Sequence, residues 1–306
     1  MKYNDKELIL ELTASWQGER FDDGRPRVSD ALLERLSRLT TEEAYVAMVE
    51  QGYKLQFEGD FKRLHDDVRL IGRAVTAVMV PSRPDVHSAL LAHGRQQEGR
   101  TGFFNQWVIE TMTRGDVLVT DMCDQVLYGT FIGGNLATAI RKRTQTGGAV
   151  IWGGIRDLEQ LREMRDFQVY YRGVHPSPIG DVMMTGMNVP ARIGRAVCLP
   201  GDVVLGTASG VIFIPPHLAE AVACRAEKSH VRDIFGFERL HEGVYTSDQI
   251  DQKWWSAEIM EDFLRWLSSS DKALPYRHLT WEAEIKNSRS PAAMQPFDGV
   301  VEYSYH

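Results

Sequence analysis

Two short stretches combine residue types that could handle an anion. In AVIWGGIRDLEQL, residues 149–161, an apolar run passes through Gly153–Gly154 and ends on Arg156–Asp157. One reading is local: Asp157 caps a helix, Gln160 sits at the N3 position of a capping box, and Arg156 is an ion-pair partner. The other reading is positional, because a charged pair just past the carboxyl end of a buried strand lies where α/β folds place their ligands. In FIGGNLATAI, Gly133 and Gly134 precede a helix, so the backbone N–H groups of Asn135 and Leu136 could face a carboxylate or phosphate. The glycines could equally serve only a tight turn. Neither the dinucleotide fingerprint nor the P-loop pattern is matched, which argues against a nucleotide site.

The flanking segments supply elements able to hold these residues. RVSDALLERL starts a helix at Ser29 or Asp30, with Ala31, Leu32 and Leu36 at helical spacing. IGRAVTAVMV (71–80), DVLVTD (116–121) and AVIWGGI (149–155) read as buried strands, and NLATAIRKR (135–143) as a helix whose cationic end suits its dipole. A helix starting LEQLREM and an extended FQVYY (167–171) continue the alternation, and GRAVCLPGDVVLGTASGVIFIPP (194–216) has the turn signals of a hairpin or meander. Beyond it PPHLAEAVACRAEKSH is a helix opened by proline. TSDQIDQKWWSAEIMEDFLRWLSSS reads as one further helix carrying Trp254, Trp255, Phe263 and Trp266, which would anchor the extension to the main domain or meet another subunit. KNSRSPAAMQPFDGVVEYSYH reads as an arm or loosely held tail.

The whole chain has 306 residues, 43% hydrophobic, enough for one large domain with an extension. A balance of 35 basic against 42 acidic residues, net charge -7, disfavours nucleic acid or an anionic membrane as partner. Cys123, Cys198 and Cys224 are too scattered for a disulfide framework, and no secretory signal or membrane span is evident, so a cytoplasmic location is expected.

Taken in order, RVSDAL, IGRAVT, GDVLVTD, GGNLAT, GGIRD and PGDVVLGTASGVIFIP resemble the family of the RraA regulator of ribonuclease E and the class II 4-hydroxy-4-methyl-2-oxoglutarate (4-carboxy-4-hydroxy-2-oxoadipate) aldolases. The resemblance implies an α/β fold, an RraA-like α/β/β sandwich, with residues 1–26 as an N-terminal segment, 27–216 as the catalytic domain and 217–306 as a helical C-terminal extension and tail. It also implies a homotrimer or hexamer with the site between subunits. Carried over by motif, it assigns Arg156 to an oxo-acid substrate and its oxyanion, Asp157 to a divalent metal (Mg2+, with Mn2+ as an alternative), and Gly133, Gly134, Asn135 and Leu136 to the substrate carboxylate. Asp121, ending DVLVTD, matches a family acid and is a candidate base, or simply a turn former. The implied activity is a metal-assisted lyase on a hydroxylated or carboxylated 2-oxo acid, or else a non-enzymatic regulator of a ribonuclease. An arginine suits a 2-oxo carboxylate better than a lysine would, because its donors come in a fixed pair. Trp152, Thr207 and Ser209 stand where the resemblance expects acids. The longer stretch between Pro81 and Gly115 adds His87, His93, Arg95 and Arg100, either as further substrate ligands or as solvated loop residues.

Overall fold

The computed structural model describes residues 2–145 and 147–289. Its strands are β1 (Phe57–Glu58), β2 (Lys62–Arg63), β3 (Leu70–Pro81), β4 (Asp116–Asp121), β5 (Thr130–Ile132), β6 (Gly148–Ile155), β7 (Gln168–Val174), β8 (Val182–Met187), β9 (Ala191–Ile193), β10 (Ala196–Cys198), β11 (Val203–Gly206) and β12 (Val211–Ile214). The helices are α1 (Lys6–Leu12), α2 (Asp30–Ser37), α3 (Thr41–Glu50), α4 (Pro84–Gln97), α5 (Phe104–Ile109), α6 (Gly134–Thr144), α7 (Leu158–Arg162), α8 (Ala219–His241), α9 (Ser247–Ile250), α10 (Ala257–Ser269) and α11 (Glu282–Ser288).

A ten-stranded sheet runs β1-β12-β11-β3-β4-β6-β7-β2, with β5 added on β6 and β8 on β3. Its centre, β3-β4-β6-β7, is parallel, as is the pairing of β5 with β6, and β1, β12, β11, β2 and β8 pair antiparallel. Every residue of β4 and β6 is buried, as expected of parallel strands covered on both faces. Alternation sorts them: Leu118, Ala149 and Ile151 face a cluster built with α4 to α7, whereas Val117, Val119, Val150 and Trp152 face a second cluster closed by the β9–β10 hairpin. The sheet curls around that second cluster, so that the Tyr170 hydroxyl of β7 donates to the Thr207 carbonyl just past β11 at 2.7 Å. A third cluster packs β11 and β12 against α2, α3 and the first turns of α8. The expected α/β architecture is therefore present.

Two staples tie the N-terminal segment to this body. Buried Arg25 meets Asp116 at the start of β4 through its two terminal guanidinium nitrogens, at 2.9 and 3.1 Å, and Tyr3 enters the helix-side cluster.

The C-terminal region departs from the single helix expected over residues 246–270. Ser256 adopts an extended backbone and accepts from Ile259 N–H, restarting the chain as α10, while Trp255 Nε1 donates to Ile250 O at the end of α9. Trp254 and Trp255 thus lie in a connection. The aromatics do not anchor the extension on the sheet either: Trp255, Phe263, Trp266 and Trp281 gather round Val231 and Phe235 of α8 as a satellite core. Of the expected tail, α11 covers the beginning, and residues 290–306 lie outside the described residues.

Candidate functional site

The structure brings Gly133, Gly134, Arg156 and Asp157 together. β5 pairs with the end of β6, and Arg156 N–H donates to Ile132 O, so the residue following β6 is locked beside the turn that opens α6. Asp157 then takes a left-handed backbone (φ 56, ψ 41) and its side chain makes no capping bond to α7. The local capping box with Gln160 is not formed. Instead Asp157 Oδ2 accepts from Gly134 N–H at 3.0 Å, capping α6 from outside, because the left-handed turn directs the carboxylate across to the neighbouring helix. The Gln160 side chain also points that way, its Oε1 lying where a side chain on Gly134 would start.

The glycines are required by this close approach. A Cβ on Gly133 would lie 2.3 Å from Asp157 Oδ2 and 3.0 Å from both Cγ and Nε of Arg156. Gly153 and Gly154 serve a different neighbour. The β4–β5 loop docks on their bare backbone: Gly154 N–H donates to the carbonyls of Gln125 and Gly129, and Met122 fills the space over Gly153. That docking positions β5, and through it the Gly133–Gly134 turn.

The electrostatics converge on one place. The first-turn N–H groups of Asn135 and Leu136 have no intrahelical acceptor, and they mark the positive end of the α6 dipole. Arg156 leans on the same end. Its guanidinium makes no hydrogen bond to any described residue, its nearest carboxylate oxygen is Asp157 Oδ2 at 3.8 Å from Nε, and its side chain is 41% exposed. A cation beside a helix amino terminus is unfavourable unless an anion lies between them.

Asp121 is elsewhere. It pairs in register with Trp152 and shares its face of the sheet; its Oδ1 accepts from Cys123 N–H at 2.8 Å, and Arg192 Nε is 4.0 Å from its Oδ2. Burial raises its pKa, partly offset by that N–H and by Arg192. No described contact links it to Arg156 or Asp157. Between Pro81 and Gly115 the side chains make contacts within the chain: Glu98 accepts from Tyr3 N–H and Arg100 Nε, with His93 Nε2 at 3.5 Å, Arg95 donates to Gly102 O, and His87 packs against Phe103 and Phe104.

For a divalent metal the donor set within the chain is thin. Among the described residues no group of three or more His, Cys, Asp or Glu converges, and Asp157 already spends one oxygen on Gly134 N–H. Thr207 and Ser209, where the resemblance expected acids, bond to Thr41 and Glu42 of α3 instead. One free carboxylate oxygen does not make a metal centre by itself.

The RraA-like family model, described as Aldolase/RraA, matches residues 26–213. The chain belongs to the RraA-like family. That family includes aldolases and ribonuclease inhibitors. A putative 4-hydroxy-4-methyl-2-oxoglutarate aldolase of Halalkalibacterium halodurans is 30% identical over 122 residues, 39% of this chain and 55% of the relative. The chain thus spans about half the length of the curated relatives it matches first. Among solved structures, RraAS2 of Streptomyces coelicolor, an unusual member of the RNase ES inhibitor RraA family, aligns with TM-score 0.59 and 25% identity over 70% of this chain and 100% of that one. An uncharacterized protein of Pseudomonas syringae shares the fold, with TM-score 0.61 and 18% identity over 77% and 99% of the two chains. Among the described residues no helix is long and apolar enough to cross a membrane.

Proposed function

We propose that this RraA-like chain is a carbon–carbon lyase acting on a hydroxylated or carboxylated 2-oxo acid, by retro-aldol cleavage or decarboxylation through an enolate. The observation that carries the reading is the Arg156 guanidinium held without a hydrogen-bond partner among the described residues against the amino end of α6. In this reading the substrate carboxylate takes the N–H groups of Asn135 and Leu136, and Arg156 faces the ketone oxygen. When the C3–C4 bond breaks, C4 leaves as a carbonyl compound whose hydroxyl proton passes to water, or as CO2 from a carboxylate, while the bond's electron pair moves into C2–C3 and the carbonyl oxygen gains charge; water then returns a proton to C3. A preorganised guanidinium and helix dipole stabilise that charge more than they stabilise the neutral ketone. Asp157 acts as a positioning residue, since it fixes the start of α6, and it is the one carboxylate here that would meet Mg2+ or Mn2+.

The test is pyruvate release from 4-hydroxy-2-oxo acids and oxaloacetate, each with Mg2+, Mn2+ or a chelator. Arg156→Ala should lower kcat/KM by about 10²–10³, the cost of removing an oxyanion donor; turnover that ignores this change rules the site out. Loss of turnover in chelator, restored by either cation and weakened by Asp157→Asn, would establish the metal, and chelator-insensitive turnover would remove it. We further place the site against a neighbouring subunit of a homotrimer or hexamer, which the half-exposed Arg156 allows and light scattering of the purified chain would check. A second reading, a protein-binding regulator, draws support from the ribonuclease-inhibitor family of the Streptomyces relative. Co-purification with a ribonuclease, unaffected by Arg156→Ala and without turnover on any 2-oxo acid, would favour it.

A further inference from the structure

The peptide between Ile155 and Arg156 is gripped from both sides. Its N–H donates to Ile132 O at 3.0 Å on the β5 side, and its carbonyl accepts from His175 N–H at 3.1 Å on the β7 side. His175 is the first residue past β7, and Val174 before it pairs in register with Ile155. Residues in register across a parallel pair present the same face and successive residues alternate, so Arg156 and His175 leave the sheet end from one face, about 5 Å apart. Gly133, one step past the pairing of Ile132 with Ile155, starts from that face too, which is why a Cβ on it would meet the Arg156 side chain. Three adjacent strand ends thus carry Gly133, Arg156 and His175 in a row.

The His175 ring is oriented by its own segment. Pro176 disfavours a helical backbone at the residue before it, in keeping with the extended bond from His175 to Ile155 O. Ser177 N–H donates to His175 Nδ1 at 3.1 Å, so Nδ1 is the acceptor and the proton of the neutral imidazole sits on Nε2. Ser177 is itself pinned. Its Oγ accepts from Tyr128 N–H at 2.9 Å and its carbonyl from Thr130 Oγ1 at 2.7 Å, which staples the segment to the same β4–β5 loop that positions β5. His175 is half-buried, and its Nε2 has no partner among the described residues.

We infer that His175 is a specificity-determining residue of the Arg156 site, its Nε2–H donating to an oxygen carried on C4 of the bound 2-oxo acid. The inference rests on the reading of Arg156 as the oxo-acid site. In that reading the substrate carboxylate lies on the α6 amides that follow β5, and the ketone lies at Arg156 after β6. The carbon chain then continues across the sheet end, and the next side chain in the row is His175 after β7. A fixed N–H donor favours a ligand with an acceptor at that point, because a ligand ending in a methyl group leaves the donor unpaired.

Titration calorimetry of the full chain with two 2-oxo acids tests it, neither of which can lose C4 as a carbonyl compound or CO2. 2-Oxoglutarate carries a carboxylate on C4, and 2-oxobutyrate carries nothing there. The native chain should bind 2-oxoglutarate at least about tenfold more tightly, the size of one charge-assisted hydrogen bond. His175→Asn keeps an acceptor for Ser177 N–H but withdraws the Nε2 donor, so it should lose that preference while binding 2-oxobutyrate as the native chain does. His175→Gln, whose amide nitrogen reaches the Nε2 position, should restore most of the preference. A preference that survives in His175→Asn, or an equal loss of both ligands there, would overturn the role of His175, and leaves the Arg156 site standing where Arg156→Ala weakens both acids. Failure of the native chain to bind either acid, or binding of both that ignores Arg156→Ala, would remove the oxo-acid site itself and this inference with it.

Discussion

Residue by residue, the candidate site depends on Gly133 more than its small size suggests. Its missing side chain lets Asp157 reach the Gly134 N–H and lets Arg156 lie on the helix end, so Gly133→Ala should push both aside. A displacement near 1 Å at a reacting centre costs on the order of 10²-fold in rate, and kcat/KM for the best substrate should fall by about that much with the fold retained by circular dichroism. Gly134→Ala meets only the flexible Gln160 Oε1, at 2.3 Å, and should cost less than about tenfold. Equal losses from both changes would show that the close approach is not what holds Arg156. The pairing of the GG and GIRD segments was legible in the sequence through motif order. The way they meet was not: Asp157 followed by Glu159 and Gln160 has the composition of a local cap, and only the left-handed backbone at Asp157 turns its carboxylate toward α6.

At the scale of elements, the parallel strands and α2 were readable because long apolar runs bounded by polar turns have few alternative fates. β4 spans the expected 116–121, and Ser29 caps α2 by accepting from Leu32 N–H. The break between α9 and α10 was hidden by an unbroken run of helix-compatible residues, since Ser256 as a cap and Trp255 as a donor to Ile250 O are tertiary choices. The satellite core that results hangs on α8 and should unfold with some independence. Phe263 is fully buried among Phe235, Trp255 and Trp281, so Phe263→Ala should cost about 3–5 kcal/mol of local stability. Hydrogen exchange should speed up in α10 and the last turns of α8 while β4 and β6 stay protected; uniform acceleration would mean the extension and the sheet are one cooperative unit. The N-terminal strap offers the opposite case. Arg25→Ala leaves the Asp116 carboxylate buried without its guanidinium and should cost about 3–5 kcal/mol, whereas replacing both residues by apolar ones of similar volume should recover most of that. A double variant no better than the single one would show that the pair is not the strap's main fastening.

For the whole molecule, buried titratable groups set a direction for stability against pH. Asp202 is enclosed at the turn before β11, with Leu199 N–H on Oδ2 and no partner among the described residues for Oδ1; burial raises its pKa from 3.8 to about 7. Folded chains therefore keep this proton where unfolded chains have released it. The contribution is complete below the unfolded value of 3.8 and is lost as pH rises through about 7. His230, raised chiefly by its hydrogen bond to Glu43, acts in the same sense from its ordinary 6.5 upward. Asp30 and Asp262, lowered chiefly by bonds to Arg73 and Arg239, act oppositely, but only below their ordinary 3.8. The groups in conflict titrate in separate windows, so between about pH 5 and pH 8 the acidic side should win, with a drop on the order of 3 kcal/mol as an upper bound from Asp202 alone. Urea midpoints measured across that range should fall with rising pH in the native chain, and Asp202→Asn, which removes the ionisation while keeping an acceptor for Leu199 N–H, should flatten most of the slope. A slope of the same size in the variant would place the missing protons on other groups and leave Asp202 ionised in the fold.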